Sequence, residues 1–159
     1  MVDREFVLRF LAFNITNYEN YNSKSLDVFL NDAMVEINKM SEEDLAVLES
    51  KFIKAMSAAR AIFDKSAFRK RDKEDLEKKY SINKALFEAW SVSLGNLTEE
   101  QINSSIEKKE VLSDRFIDLM AEDDDFQAAI SHGTSTVGKV KYRFKIVENL
   151  IEDVLSLPG

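Results

Sequence analysis

The sequence contains no cysteine, a single histidine, one proline and four glycines among its 159 residues. Without cysteine the chain has no disulfide, no thiolate-bound metal and no cysteine nucleophile, which is consistent with a cytoplasmic protein. A catalytic serine–histidine pair would have to use His132, which precedes a glycine and lies in no recognisable nucleophile-elbow motif. We therefore expect neither a histidine-rich metal site nor a catalytic pair of this kind.

Glycine and proline are also confined to the second half of the chain. They occur at Gly95, Gly133, Gly138, Pro158 and Gly159, and residues 1–94 contain neither. A sheet protein needs turn residues at short, regular intervals, so their scarcity favours long helices. We predict an all-α fold in which residues 1–159 form a single domain, a bundle of roughly six to eight helices.

No hydrophobic run is long enough to span a membrane. The first apolar segment follows Asp3, Arg4 and Glu5, and Arg9 interrupts it. It lacks the small-residue cleavage site of a secretory signal, so we expect it to be folded protein without a membrane partner. The 45% hydrophobic content indicates a folded chain. The net charge of −7 argues against a generic nucleic-acid coat but is compatible with a local basic patch.

Apolar periodicity places the helices along the chain. The first, about residues 3–14, is apolar around its whole circumference, which predicts a central, buried helix. Later helices are expected to begin near Ser25, Ser41, Ile82, Thr98, Glu122 and Thr136. We expect the helix from Ile82 to end at Gly95 as a C-cap residue and the helix from Thr98 to continue to about Met120. Residues 64–81 are charged and predicted to form a connection with a short helical turn.

The acidic run EDDD at residues 122–125 has two interpretations. Oxygen ligands could attract Mg²⁺ or Ca²⁺, but the run lacks the spacing of a ligand loop. Acidic residues also favour the N-terminus of a helix. We prefer the second interpretation and expect neither a metal nor another cofactor.

The segment ISHGTSTVGKVKYRF, residues 130–144, contains most of a P-loop motif, Gly133, Gly138 and Lys139. A working P-loop follows a buried strand and places Ser or Thr after the lysine to hold magnesium. Here the preceding residues have helical character, and Val140 follows the lysine. We expect a loop that leads into a helix and no binding of ATP or GTP, although Lys139 stays a candidate binding residue.

Two arginines lie within the apolar faces of helices. Arg143 falls among the apolar positions of the last helix, and Arg9 is surrounded by Phe6, Phe10 and Phe13. A guanidinium is costly to bury alone, so each needs a partner or access to water. We expect either an internal ion pair or a ligand-binding role in a cleft, and the two arginines could share one polar cluster.

Four blocks of sequence carry a family resemblance. They are REFVLRFLAF at residues 4–13, AFR at 67–69, INKALFEAW at 82–90 and VKYRF at 140–144. In this order and spacing they resemble the helical region that follows the ParB-like N-terminal domain in GmrSD-type bacterial restriction proteins. The resemblance covers nearly the whole chain. The matching positions Arg9, Arg69, Asn83 and Arg143 are candidate binding residues, although Asn83 could simply cap a helix.

The resemblance implies a non-catalytic accessory domain in phage defence. In that family the N-terminal domain carries a DGQQR-type motif linked to nucleotide hydrolysis, and some members add an HNH-type nuclease. This sequence has neither signature, so the chain would be a fragment or relative of a larger NTP-dependent restriction enzyme. Its implied partner is the ParB-like domain, which it would pack against and regulate.

The alternative function is direct nucleic-acid binding. Lys65, Arg69, Lys70, Arg71 and Lys73 form a local basic excess that could contact phosphates together with the final helix. Acidic residues are interleaved with these cations, and mixed charge is typical of a solvated surface. DNA therefore remains the second candidate partner.

Overall fold

The computed structural model describes residues 2–159, and that part of the chain folds into a bundle of eight α-helices. Their bounds are α1 Val2–Ile15, α2 Leu26–Ile37, α3 Glu42–Phe63, α4 Lys84–Gly95, α5 Glu99–Glu107, α6 Lys109–Glu122, α7 Asp124–Ser131 and α8 Val137–Leu155. Short 3-10 turns occur at Tyr18–Asn20 and Asp64–Ser66. The predicted all-α class is confirmed. None of the described helices combines the length and apolar character that crossing a membrane requires.

Most helices begin where the sequence predicts, and the capping side chains explain why. Ser25, Ser41, Thr98 and Asp123 each accept a hydrogen bond from the backbone N–H three residues later. These bonds satisfy N–H groups that have no partner within the first turn of a helix. Gln101 completes a capping box with Thr98. The acidic run therefore begins α7, as expected.

The central helix is α4, which corrects the prediction that α1 is central. Every residue from Ala85 to Gly95 is buried, and α4 packs against α1, α3, α7 and α8. In contrast, α1 buries only part of its surface, and Val7 on its outer side is 38% exposed. Apolar residues surround the axis of α1, but one of its apolar sides faces solvent.

The sequence also predicts one helix where the structure has two. At Lys108 the backbone leaves helical geometry, with φ of −98° and ψ of 19°, and α5 ends there before α6 begins. The Lys108 ammonium donates a hydrogen bond to the Leu157 carbonyl at 2.6 Å, near the end of α8. This contact joins the corner between α5 and α6 to the last residues of the chain. Lysine has good helix propensity, so the residue at the break gives no sign in the sequence that the helix ends there.

Gly95 permits close helix packing instead of acting as a left-handed C-cap. Its φ is not positive, and Asn96 caps α4 in right-handed helical geometry. A Cβ at position 95 would lie 3.2 Å from the carbonyl oxygen of Lys51 on α3 and 3.4 Å from the Phe10 ring. The glycine therefore lets the backbones of α3 and α4 approach each other.

We expect Gly95→Val to lower the free energy of unfolding by about 1–3 kcal/mol, because the new atoms meet backbone that cannot rotate away. Gly138→Ala is the matched control, since a Cβ there has no neighbour within 4 Å. Relief of the helix penalty of glycine should make that variant neutral or up to about 1 kcal/mol more stable. Urea denaturation measures both, and a Gly95→Val protein as stable as the parent would contradict the packing role.

Candidate functional site

Glu88 lies at the centre of the bundle, between two arginines. Its side chain on α4 is 0% exposed, and the guanidiniums of Arg9 on α1 and Arg143 on α8 are nearly as buried. Arg9 Nη1 donates to one carboxylate oxygen and Arg143 Nη2 donates to the other. The three helices thus meet around a buried arginine–glutamate–arginine cluster, which we call the Glu88 triad. Of the alternatives left open for the two arginines, the structure has internal ion pairs, and both arginines share one polar cluster.

A second carboxylate connects the Glu88 triad to the protein surface. Arg9 donates from Nε and Nη2 to Oε1 of Glu5, at 2.9 and 2.7 Å. Lys84 at the start of α4 donates to the other Glu5 oxygen at 2.9 Å. The Lys84 hydrogen bond, together with Arg9, lowers the pKa of Glu5 below its ordinary value of 4.5 against the opposing effect of burial. Glu88 supplies one negative charge for two guanidiniums, and Glu5 supplies a second negative charge beside Arg9.

On the other side of the triad, Arg143 binds the loop between α7 and α8. Its Nη1 donates to the carbonyl oxygens of Thr134 and, at 3.3 Å, of Ala129. Tyr21 donates from its hydroxyl to the next carbonyl of the loop, that of Ser135, at 2.7 Å. Burial, and secondarily the Glu88 charge, raise the pKa of the Tyr21 hydroxyl. The loop is thus held by donors that come from the core.

The same loop contains the P-loop-like motif of Gly133, Gly138 and Lys139. Its hydrogen-bonding groups are arranged differently from those of a phosphate-binding loop. In a phosphate-binding loop, backbone N–H groups point at the ligand and the lysine reaches a phosphate. Here loop carbonyls accept hydrogen bonds from the protein, and the Lys139 ammonium donates to the His132 carbonyl. Gly133 takes φ of +56°, a left-handed conformation that turns the chain from α7 toward α8. This geometry supports the expectation of a loop that leads into a helix.

The remaining candidate residues lie outside the Glu88 triad. Asn83 caps α4 by accepting the Leu86 N–H at 2.9 Å, and its amide donates to the Ile130 carbonyl at 2.8 Å. Arg69 pairs with Ile82 in an isolated antiparallel bridge and donates to the Tyr80 carbonyl at 2.6 Å. Capping by Asn83 is confirmed. The structure therefore brings Arg9 and Arg143 together, whereas Arg69, Asn83 and Lys139 each bind backbone groups elsewhere.

Glu88 is the residue that sequence reasoning missed. It is the only charged residue between Ala85 and Gly95, in a segment that is otherwise apolar or small. A lone carboxylate in such a helix needs a buried cation, just as Arg9 and Arg143 need a buried anion. The signal was present, but it required matching charges between separate helices.

The buried charges of the Glu88 triad restrict how α1, α4 and α8 pack against one another. Both Glu88 oxygens accept a hydrogen bond, and the Arg143 side chain is only 1% exposed, so neither side chain opens onto a surface cleft. A buried ion pair gains little net free energy because desolvation offsets the attraction. It does penalise every arrangement of α1, α4 and α8 in which the charges are unpaired.

No protein-family model matches this chain, and comparisons with curated proteins and with solved structures give no significant match. The resemblance to GmrSD-type proteins therefore stays a prediction that depends on its four sequence blocks.

Proposed function

We propose that this chain is a non-catalytic, cytoplasmic accessory domain of a bacterial restriction or phage-defence protein. It packs against a nucleotide-hydrolysing ParB-like domain and regulates it. The family resemblance supplies the identity of the partner. The observation that carries the packing role is an exposed apolar surface on α1 and α2.

This surface, the α1–α2 face, forms a shallow groove rimmed by Asp3 and Arg4. Its apolar lining consists of Val7, Leu8, Leu11 and Met34. Val7 is 38% exposed and Met34 is 45% exposed, so the groove is open to solvent in the isolated chain. Apolar side chains at the centre with charged residues beside them match the arrangement of a protein–protein interface.

The position of the α1–α2 face supports the ParB-like domain as the occupant. In the family that the sequence resembles, that domain precedes the helix that corresponds to α1. A domain joined there would be close to the groove, so docking would be effectively intramolecular and would need few contacts. The apolar residues that made α1 look like a buried helix would then be buried by the partner.

The alternative, direct nucleic-acid binding, has less support in its original form. It combines the Lys65–Lys73 segment with the final helix, but Arg143 of that helix faces the interior. The cleft that gathers the cations of the segment is lined only by residues 63–80, so α8 does not contribute to it.

The proposal is tested by co-expressing this chain with the DGQQR-bearing domain encoded upstream of it. We expect a one-to-one complex in analytical ultracentrifugation and an altered rate of nucleotide hydrolysis by the partner. Val7→Glu with Met34→Glu should weaken the complex at least about tenfold, because charges would be desolvated at the centre of the interface.

The matched control is Val47→Glu with Ile53→Glu on α3, two residues that are 57% and 58% exposed. These substitutions add the same charge outside the α1–α2 face and should leave affinity unchanged. The absence of an upstream DGQQR-bearing frame, or of any complex, would refute the proposal. An equal loss of affinity in the two double variants would refute the assignment of the α1–α2 face as the binding surface.

A further inference from the structure

The connection between α3 and α4 is longer and better fixed than an ordinary linker. From Ala67 to Asn83 it exceeds the length of about 12–15 residues above which irregular loops in compact domains are usually functional. The Asn83 N–H donates to the Phe68 carbonyl at 2.8 Å, and Arg69 pairs with Ile82, so the two ends of the loop are joined. Its backbone is therefore preorganised.

Two residues in this region hold strained backbone conformations. Asp64 has φ of +49° and Phe68 has φ of +61°, values that residues other than glycine rarely adopt. The Phe68 ring is buried and packs edge-on against Phe87 with 4.8 Å between ring centroids, which offsets part of the strain. Strain of this kind persists where the surroundings fix a particular geometry, and it is concentrated at functional sites.

The fold sorts the mixed charges of this segment. A cleft of about 220 Å³ between the end of α3 and the loop is lined by six cationic residues: Lys65, Arg69, Lys70, Arg71, Lys78 and Lys79. Asp64 and Glu77 are the acidic residues in that wall, and Lys78 also pairs with Asp72, outside the wall, at 3.6 Å. Lys73 points elsewhere and pairs with Asp118 at 2.8 Å and Glu122 at 3.1 Å. The sequence alternates charge, but the cleft is strongly positive on a protein of net charge −7.

The innermost cations are anchored by neutral groups instead of carboxylates. Arg69 donates to the Tyr80 carbonyl, Lys70 donates to the Ser131 hydroxyl at 2.7 Å, and Arg71 donates to the Ser66 hydroxyl at 2.9 Å. None of the ion pairs found within residues 2–159 includes these three side chains. Their charge is therefore oriented but not neutralised.

We propose that this cleft binds a phosphate monoester dianion. Arginines and lysines that are held in place and lack a carboxylate partner recognise phosphate oxygens through charge-assisted hydrogen bonds. The cleft volume of about 220 Å³ is below the roughly 300–1,000 Å³ of complete small-molecule pockets, so it suits a phosphoryl group with part of its alcohol. Tyr80 and Leu76 provide apolar surface for that organic part. The inference is independent of the α1–α2 face and goes beyond the accessory role.

Calorimetric titration of the full chain at low ionic strength tests this proposal. We expect thymidine 5′-monophosphate to bind and thymidine not to bind. An oligothymidylate with a 5′-phosphate should bind at least about fivefold tighter than the same strand with a 5′-hydroxyl, because only the former presents a dianion. If the phosphorylated strand binds more tightly than the mononucleotide, the natural ligand is a nucleic-acid end. If the two affinities are equal, the ligand is a small phosphate ester. Equal binding of both strands, or no binding by either phosphorylated probe, would overturn the proposal.

Paired variants locate the site. Arg71→Gln with Lys79→Gln should weaken thymidine 5′-monophosphate binding at least about tenfold, since two charge-assisted contacts are removed. Lys73→Gln lies in the same loop but outside the cleft and should change affinity less than about twofold. Lys139→Ala should also have no effect, because Lys139 belongs to the loop before α8. Circular dichroism checks that each variant is folded, and equal losses for Lys73→Gln and the paired variant would overturn the assignment.

Discussion

Glu88→Ala should lower the free energy of unfolding by about 5 kcal/mol or more. The substitution leaves Arg9 with Glu5 as its only carboxylate and Arg143 with carbonyl oxygens alone, although both guanidiniums are at least nine-tenths buried. Removing one partner of a single buried ion pair costs about 3–5 kcal/mol, and Glu88 is the partner in two. A domain of this kind has a free energy of unfolding of only about 5–15 kcal/mol. Thermal and urea denaturation followed by circular dichroism measure the loss.

Two further variants separate the lost charge from the lost side chain. Glu49→Ala on α3 removes an exposed carboxylate and should change the free energy of unfolding by less than about 0.5 kcal/mol. Replacing Arg9, Glu88 and Arg143 together with methionine removes all three charges and keeps most of the volume. That protein should fold and be far more stable than Glu88→Ala, since apolar replacement of a buried triad is often neutral or favourable. A Glu88→Ala protein that melts within a few degrees of the parent would contradict the role of the triad.

Sequence reasoning found the helices because their signals are local. Ser25, Ser41, Thr98 and Asp123 act within one turn, and the 3.6-residue period shows which side of each helix is apolar. The break at Lys108 and the role of Gly95 were missed because both depend on contacts between distant segments. Lys108 binds the end of α8, and Gly95 approaches Lys51.

The candidate sites show the same contrast between local signals and contacts between distant segments. The need of Arg9 and Arg143 for partners could be predicted from burial, whereas the identity of Glu88 required the packing of α1, α4 and α8 around one point. Likewise, the sequence identified the basic residues from Lys65 to Lys73 but not Lys78 and Lys79, and which of these residues line the cleft depends on which side chains pair with α6. Lys73 is drawn to Asp118 and Glu122, and the cleft residues are not.

The first helix, α1, is apolar all round although it is not the central helix. A helix that is apolar all round is expected in the centre of a domain. In this protein α4 occupies that place, and the second apolar side of α1 is open to solvent.

Arg143→Met should lower the free energy of unfolding by about 3–5 kcal/mol, less than Glu88→Ala does, because Glu88 keeps Arg9 as a partner. Methionine keeps the apolar packing of α8 but cannot donate to Glu88 or to the Thr134 carbonyl. The loop between α7 and α8 would lose a donor that holds it to the core, so hydrogen exchange at residues 132–136 should also accelerate. Lys145→Met, an exposed change on the same helix, should alter neither measurement.

A double variant tests whether Arg143 acts through Glu88. If it does, Glu88→Gln combined with Arg143→Met should destabilise the protein by less than the sum of the two single changes, because each removes the charge that the other leaves unpaired. We expect a coupling free energy of about 1–3 kcal/mol between the two positions. Arg143→Lys should retain only part of the stability, since an ammonium cannot reach Glu88 and the Thr134 carbonyl with the fixed fork of a guanidinium. Strictly additive losses would mean that Arg143 stabilises the loop independently of the carboxylate at the centre of the bundle.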